Sequence, residues 1–583
     1  MEFVESLINT LSEYIWDKGI PVGEQEIPWV VVALLGTGVF LTIRLGFLQL
    51  RKLGHGFAVT SGIYDDPDEP GDVSHFQALT TALSATVGIG NIAGVALAIH
   101  WGGPGALFWM WVTALLGMAT KYSEVTLAQK YRDVEKQDLD PYKWEGTVSG
   151  GPMYYIERGL GRSWRPLAMF FAVMLGTTAF LTGNAIQANT VADTLNTTFG
   201  VPVWISGLVT ASVVAMVVIG GISRIGKVTG ILAPTMAAIY VLGALAIILM
   251  NADQVLPTFG LIFREAFNPT ASIAGSGVGV FLLTMMWGVK RGLFSNEAGQ
   301  GSAPIAHAAA KTDEPVSEGV VALVEPFIDT IVICTMTGLV IIMTGVWNQR
   351  IPTEITLDRG DISWVVEEMD GGYDDLEGAA QIEVVEGRYA ASGAGAARLT
   401  WHEVVVEPLF TDPGQTQLFN GIVDTDRKLA ITEDGIEVTS LYGDAAESGA
   451  PLTMMAFQRG LPGEWGKFIV VISVFLFAIS TAIAWSYYGD RCANYLFGHQ
   501  AVLPYKLIFV TMHFVGAILT LSVAWTLGDV FLGIVILPNL LALLMLNGQV
   551  RELTLSYFKR QPWLENREVH RKLKEEKRYK PLG

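Results

Sequence analysis

Cysteine is almost missing from this 583-residue chain: Cys334 and Cys492 are the whole complement. Two thiols on different apolar segments make neither a disulfide framework nor a cysteine-based metal site. Charge is scarce too, at 16% Asp, Glu, Lys and Arg against the quarter or so of soluble domains. The HExxH pair of a zinc protease and the GxSxG elbow of a serine hydrolase do not occur, and the eight histidines have no metal-like spacing. No basic stripe is offered to nucleic acid. Residues 1–26 carry Glu2, Glu5, Glu13 and Asp17 in place of a basic leader, so no cleavable signal is expected.

What is abundant is hydrophobicity, at 51% of residues, much of it in runs long enough to cross a bilayer. Spans are expected at about 27–43, 76–100, 106–129, 167–195, 201–221, 225–250, 274–301, 320–347, 466–485, 501–523 and 527–546. Arg44, Arg51 and Lys52 after the first span, Arg224 and Lys227 after the fifth, and the Lys/Arg-rich tail mark the cytoplasmic side. Eleven spans then place the N-terminus outside and the C-terminus in the cytoplasm. The expected organisation is an outer segment 1–26, an additional membrane helix 27–46, core helices over 76–347 and 451–550, and a cytoplasmic tail 551–583. Between them, residues 348–450 hold 21 Asp or Glu against 6 Lys or Arg and so carry most of the net charge of −18. Short alternating runs such as 381–385 and 435–439, separated by Gly, Asp and Asn, predict a small β-rich domain outside the membrane.

Two spans are interrupted. In Thr80–Gly103 the glycines Gly88 and Gly90 flank Ile89 and precede Asn91 at mid-span. Glycine is a poor helix former, and unwound backbone at membrane depth is tolerated only where it is buried in protein or lines a cavity. Close helix packing through small residues is the plain alternative. A second interruption is expected at Trp287–Gly292. Setting the first span aside, these are the first and sixth of ten, which enter the bilayer from opposite sides. That is the pattern of an inverted repeat with a site at the midplane. Peptide N–H groups around Gly88–Asn91 suit a carboxylate. Asn184 and Gln187, one helical turn apart, are candidates to face the site. Trp287, beside Gly288, and Trp485 are candidates to cap a pocket for small side chains. Lys290, Arg291, Glu297, Glu325 and Asp329 inside the spans are expected to form an ion-pair cluster at an inner gate, with a proton relay as the alternative.

The segments FQALTTALSATVGIGNIAGVALAIHWGGPGALFWMWVTALLGMATKYSEVTLAQKYR, MMWGVKRGLFSNEAGQGSAPIAHAAAKT and FLFAISTAIAWSYYGDR, with GGPMYYIERGLG and GGISRIGKVTG, resemble the sodium:alanine symporter family over nearly the whole chain outside 348–450. The resemblance implies an all-α membrane protein of the leucine-transporter fold, a five-plus-five inverted repeat with one added N-terminal helix. It implies sodium-coupled uptake of a small neutral amino acid, alanine or glycine, across the plasma membrane, the inner membrane in a bacterium. Lipid would surround it, and no obligate protein partner is implied. By similarity to the fold's usual ion site, sodium is expected between the carbonyls of Ser84 and Val87 and the residues Phe477, Ser480 and Thr481. Proton coupling, a membrane-embedded enzyme and an ion channel are the competing readings.

Overall fold

The computed structural model describes residues 10–16, 18–22, 25–136, 146–269, 278–357, 362–367, 373–375, 381–389, 397–401, 404–425, 427–445, 448–518 and 522–575. Ahead of the bundle, a hairpin pairs Gly19–Val22 with Gln25–Pro28. Pro28 then leads into α1 (Trp29–Arg44) and, after an 80° bend at the left-handed Phe47, α2 (Leu48–Thr60). The bend matches the switch from an apolar run to LQLRKLGHG, whose charged face needs water.

The broken helix starts at α3 (His75–Thr86), where Ser74 and Gln77 form a reciprocal capping box. A π-helical turn at Gly90–Gly94 leads into α4 (Val95–Gly102), tilted 55° from α3. Then come α5 (Ala106–Tyr131), the short α6 (Pro152–Leu160) and α7 (Arg165–Phe180). A π turn at Leu181–Ala185 joins α7 to α8 (Ile186–Phe199). Next are α9 (Val203–Val218), α10 (Gly221–Met250), α11 (Ala252–Phe267), α12 (Val278–Asn296) and α13 (Ala303–His307). The span α14 (Pro315–Thr344) holds a π-helical stretch at Phe327–Cys334. After the insertion lie α15 (Gly449–Gly460), α16 (Trp465–Phe497), α17 (Val502–Ile518), α18 (Ser522–Arg560) and α19 (Trp563–Glu575).

Among the described residues six helices are long and apolar enough to cross a membrane, or eight with the two bent pairs. The chain is therefore a multi-pass membrane protein. Its apolar side chains sort accordingly: Leu208, Met216, Ile231, Leu242, Leu249 and Leu507 are exposed along α9, α10 and α17, as a lipid-facing surface requires. Small residues let the central helices approach. A Cβ on Gly226 of α10 would lie 3.1 Å from the Val73 side chain, and Thr81 and Thr229 hydroxyls bond at 2.9 Å between α3 and α10.

One expectation is corrected here. The second interruption is not at Trp287–Gly292, which lies inside the unbroken α12. Gly288 and Gly292 are glycines because α5 lies against them: a Cβ on Gly288 would meet the Ala106 carbonyl oxygen at 2.3 Å, and one on Gly292 the Met110 backbone at 3.2 Å. α12 ends at Asn296, and the next residue, Glu297, takes φ +54°, with Gly299 and Gly301 also at positive φ.

Between α14 and α15, strands from Ile351–Thr356 to Ser440–Ala445 form three antiparallel sheets of four, three and five strands. They enclose their own core, with Ile355, Trp364, Leu399, Phe419 and Leu441 buried. Gln381–Val385 alternates exposed and buried, as a two-residue side-chain period dictates. The first and last strands pair Ile351 with Ala445, so this unit leaves and rejoins the bundle at one place.

Candidate functional site

α3 is apolar and small-residued to Thr86, and its ladder closes with the Val87 amide bonded to the Leu83 carbonyl at 2.7 Å. The next amide, Gly88 N–H, is capped by the side chain of Asn91 at 2.8 Å. Asn91 is fully buried, and its amide nitrogen donates to the Asp329 carboxylate (2.6 Å) and Ser295 Oγ (3.1 Å), beside Cys334 Sγ (3.3 Å). Thr337 donates to the Asn91 carbonyl at 2.8 Å, and Thr453 of α15 to that of Ile92 at 2.9 Å. One side chain thus ties the break to α12 and α14. The two glycines admit neighbours: a Cβ on Gly88 would lie 2.8 Å from Thr481 Oγ1, and one on Gly90 3.2 Å from the Phe294 ring.

A narrow cavity opens between this break and the one after α12. Ala85, Thr86, Gly88, Ile89 and Gly90 line it from the first break, and Phe294, Glu297 and Gln300 from the second. Thr182 and Gln187 close one side, Thr481, Trp485 and Leu532 the rest. Trp485 is held from behind, since Gly183 leaves the room its ring fills: a Cβ there would lie 2.4 Å from Cγ. A neighbouring cleft shares Phe294, Gln300 and Leu532 and reaches Trp16, Lys290 and Arg291. It lies beyond the helix break. The cavity at the break, where unwound backbone meets buried polar groups, is the one with recognition chemistry.

Oxygen atoms converge on one wall. Thr481 Oγ1 lies 3.1 Å from the Ser84 carbonyl oxygen and 3.4 Å from that of Ala85. Ser480 Oγ lies 3.3 Å from the Ser84 carbonyl and 2.8 Å from that of Phe477. Ser84 Oγ is buried with no hydrogen-bond partner among the described residues. Met236 Sδ also lies 3.2 Å from Ser480 Oγ; the rest of the set is oxygen, which suits a hard cation.

Of the residues singled out from sequence, Gly88, Ile89, Gly90, Gln187, Thr481 and Trp485 meet at the cavity, with Ser84, Phe477 and Ser480 just behind Thr481. Val87 ends α3 beside them. Others lie elsewhere. Asn91 braces the break from the far side. Asn184 bonds to α17, through the Phe509 carbonyl at 2.7 Å and His513 at 2.6 Å. Trp287 stacks on Trp101 with centroids 5.9 Å apart, and Gly288 faces α5. Thr182, Phe294, Glu297, Gln300 and Leu532 were not read as pocket residues. For Glu297 and Gln300 the signal was present in Asn296-Glu-Ala-Gly-Gln-Gly301, a polar and glycine-rich hexapeptide inside an apolar span.

The expected ion-pair cluster also changes membership. Glu325 pairs with Lys121 of α5 at 2.9 Å, and His307 bridges Glu325 (3.5 Å) and Glu318 (2.5 Å). His75, the first residue of α3, bonds the other Glu318 oxygen. Lys290 and Arg291 instead lie over the Trp16 and Trp287 rings. Asp329 belongs to the Asn91 brace.

A polytopic bundle whose buried polar groups surround a small cavity at a helix break is built to carry a solute across the membrane. Comparison with known proteins gives the class a family. The model of the sodium:alanine symporter family matches residues 1–366 and 405–571. The chain is 39% identical over 553 residues to the sodium/alanine symporter AgcS of Methanococcus maripaludis, covering 94% of this chain and 96% of that one. It is 32% identical over 521 residues to the putative sodium/proton-dependent alanine carrier protein YrbD of Bacillus subtilis, covering 89% and 87%. To the probable sodium/glutamine symporter GlnT of the same organism it is 28% identical over 550 residues, covering 94% and 90%. The chain belongs to the sodium:alanine symporter family and is a transporter, not an enzyme.

Proposed function

We propose that this protein couples inward sodium flow to uptake of a small neutral amino acid, alanine or glycine, by alternating access. In this reading α3–α4 and α12–α13 are the first and sixth helices of a five-plus-five inverted repeat, with the N-terminus outside and the tail in the cytoplasm of a bacterial-type inner membrane. Residues 76–347 and 451–550 form the transport core, and 348–450 an outer domain. The substrate lies in the cavity against Gly88–Gly90, Gln187 and Trp485, with Phe294 and Trp485 restricting side-chain size. Sodium lies between the Ser84 and Val87 carbonyls and Phe477, Ser480 and Thr481. The observation that carries this reading is the oxygen cluster on the wall of a cavity made at two helix breaks: an ion there touches the same unwound backbone as the substrate, so each favours the other. The names of AgcS and of the family agree with it.

The test is alanine binding titrated with sodium at fixed pH, wild type against Thr481→Ala. Losing one oxygen should cost on the order of 1–3 kcal/mol, a ten- to hundredfold higher sodium requirement. Alanine affinity should partly recover at saturating sodium. Superimposable sodium curves would remove Thr481 from the ion site. A proton-coupled carrier is the second reading, favoured by the buried His75–Glu318–His307–Glu325 chain and by the name of YrbD. It predicts binding that follows pH and ignores sodium in both proteins.

A further inference from the structure

Glu297 sits where α12 gives out, 6% exposed, with its carboxylate bonded to the Ser302 hydroxyl. Among the described residues that hydroxyl is the carboxylate's one hydrogen-bond or ion-pair partner. Lys121 also acts on it electrostatically, but makes its ion pair with Glu325 at 2.9 Å. A carboxylate buried within a membrane protein with a single neutral partner is costly, and such groups persist where a cation arrives to pair with them.

The groups around it are of one kind. Gln300 and Gln187 line the same cavity, and each has its amide nitrogen tied to a backbone carbonyl: Gln300 Nε2 to Leu293 at 3.2 Å, Gln187 Nε2 to Thr182 at 3.1 Å. That leaves Gln300 Oε1 and Gln187 Oε1 as buried acceptors without a donor among the described residues, and Thr182 Oγ1 is unpartnered as well. One negative charge and two amide oxygens with vacant lone pairs match a group with positive charge and several N–H donors. A primary ammonium has three.

We propose that Glu297, with the side-chain oxygens of Gln187 and Gln300, forms the subsite for the ammonium group of the transported amino acid, opposite the Ile89–Gly90 side of the first break, since the Gly88 N–H is held by Asn91. The proposal rests on the reading that this cavity holds the substrate. The polarity of the cavity then orients an amino acid: carboxylate toward Ile89 and Gly90, ammonium toward Glu297. It also sets the substrate class, because an isostere bearing hydroxyl in place of ammonium leaves the carboxylate uncompensated. Ser302 is a positioning residue that aims the carboxylate.

The experiment is competition for labelled alanine on the purified full chain at saturating sodium and fixed pH, with unlabelled alanine or lactate as competitor. In wild type, lactate should compete at least about hundredfold more weakly than alanine. In Glu297→Gln, alanine should weaken by about ten- to hundredfold, the two competitors should come within about tenfold of each other, and half-saturating sodium should stay within about twofold. Gln300→Leu, which leaves the charge in place, should narrow the gap in the same direction by less, and it keeps the test alive if Glu297→Gln does not fold. Equal weakening of alanine and lactate, or a shifted sodium requirement with the preference unchanged, would overturn the assignment by making Glu297 structural or an ion ligand. If wild type binds no alanine in sodium, the reading of the cavity fails and the subsite with it. If wild type binds normally and both variants keep its preference, only the subsite fails.

Discussion

The two helix breaks do the same job by opposite means. The first is held by a side chain: Asn91 caps Gly88 N–H and reaches Asp329 and Ser295 on two other helices. Its backbone angles are ordinary, and neither Gly88 nor Gly90 has a positive φ. The second is held by backbone conformation, with Glu297, Gly299 and Gly301 in the left-handed region over five residues. The first break should therefore yield to removing atoms, whereas the second should yield to adding them.

The largest effect is expected at the second break. Gly301→Val places a branched side chain at φ +77°, where even a Cβ would sit 2.5 Å from Pro152 Cγ and 2.9 Å from the Phe171 ring. Left-handed strain and overpacking together should cost on the order of 2–5 kcal/mol, read as a large drop in thermal stability in detergent. A melting temperature within a few degrees of wild type would break the comparison. Gly90→Leu comes next. It keeps an allowed backbone but drives its side chain into Phe294 and the cavity. Alanine affinity should fall at least about hundredfold while the protein stays monodisperse. Normal affinity would take the first break out of the binding site.

Asn91→Ala sharpens the contrast by subtraction. It leaves the Gly88 amide and two Asp329 bonding positions without their partner, a loss of about 1–3 kcal/mol with no steric clash. Differential scanning and alanine titration should both move, by less than in the glycine variants. The smallest effect is expected outside the membrane. Replacing 352–444 by a short Gly/Ser linker joins positions already paired in a sheet and leaves α15, with its Thr453 bond to the first break, in place. Sodium-driven alanine uptake should remain measurable in vesicles. Its complete loss from a well-folded deletion would show that the break is braced from outside the bundle as well.

The same contrast explains what was readable in the sequence. Gly88-Ile-Gly90 followed by Asn91 was legible because two glycines in a run of Ala, Ser and Val have no helical advantage. Gly288 and Gly292 look just as disruptive in one dimension, yet they exist so that α5 can approach. Glycine serves close packing and unwinding alike, and only the facing helix separates the two uses. The true second break is marked by Asn296 and Glu297 as much as by its glycines, which a glycine-weighted reading passes over. The oxygen cluster at Ser84, Phe477, Ser480 and Thr481 was reached through family resemblance, since a hydroxyl bonded to its own helix has the same sequence. Partners such as Lys121 for Glu325, some two hundred residues apart, have no local signature.

The 39-residue helix α18 extends about 58 Å, close to twice the hydrocarbon thickness of a bilayer. Leu532 near one end touches the cavity. Near the other, Tyr557 bonds His55 at 3.0 Å, and Arg560 forks onto Glu314 at 2.7 and 2.9 Å, one residue before α14 begins. Those contacts are some 28 residues, or about 42 Å, apart, so a tilt of about 5° at the cavity end moves the tip by nearly 4 Å. Pro538, between the two contacts, removes one backbone hydrogen bond from this rod. If the rod tilts with the cavity, a reporter on the tail near Arg560 reads the occupancy of a site it never touches.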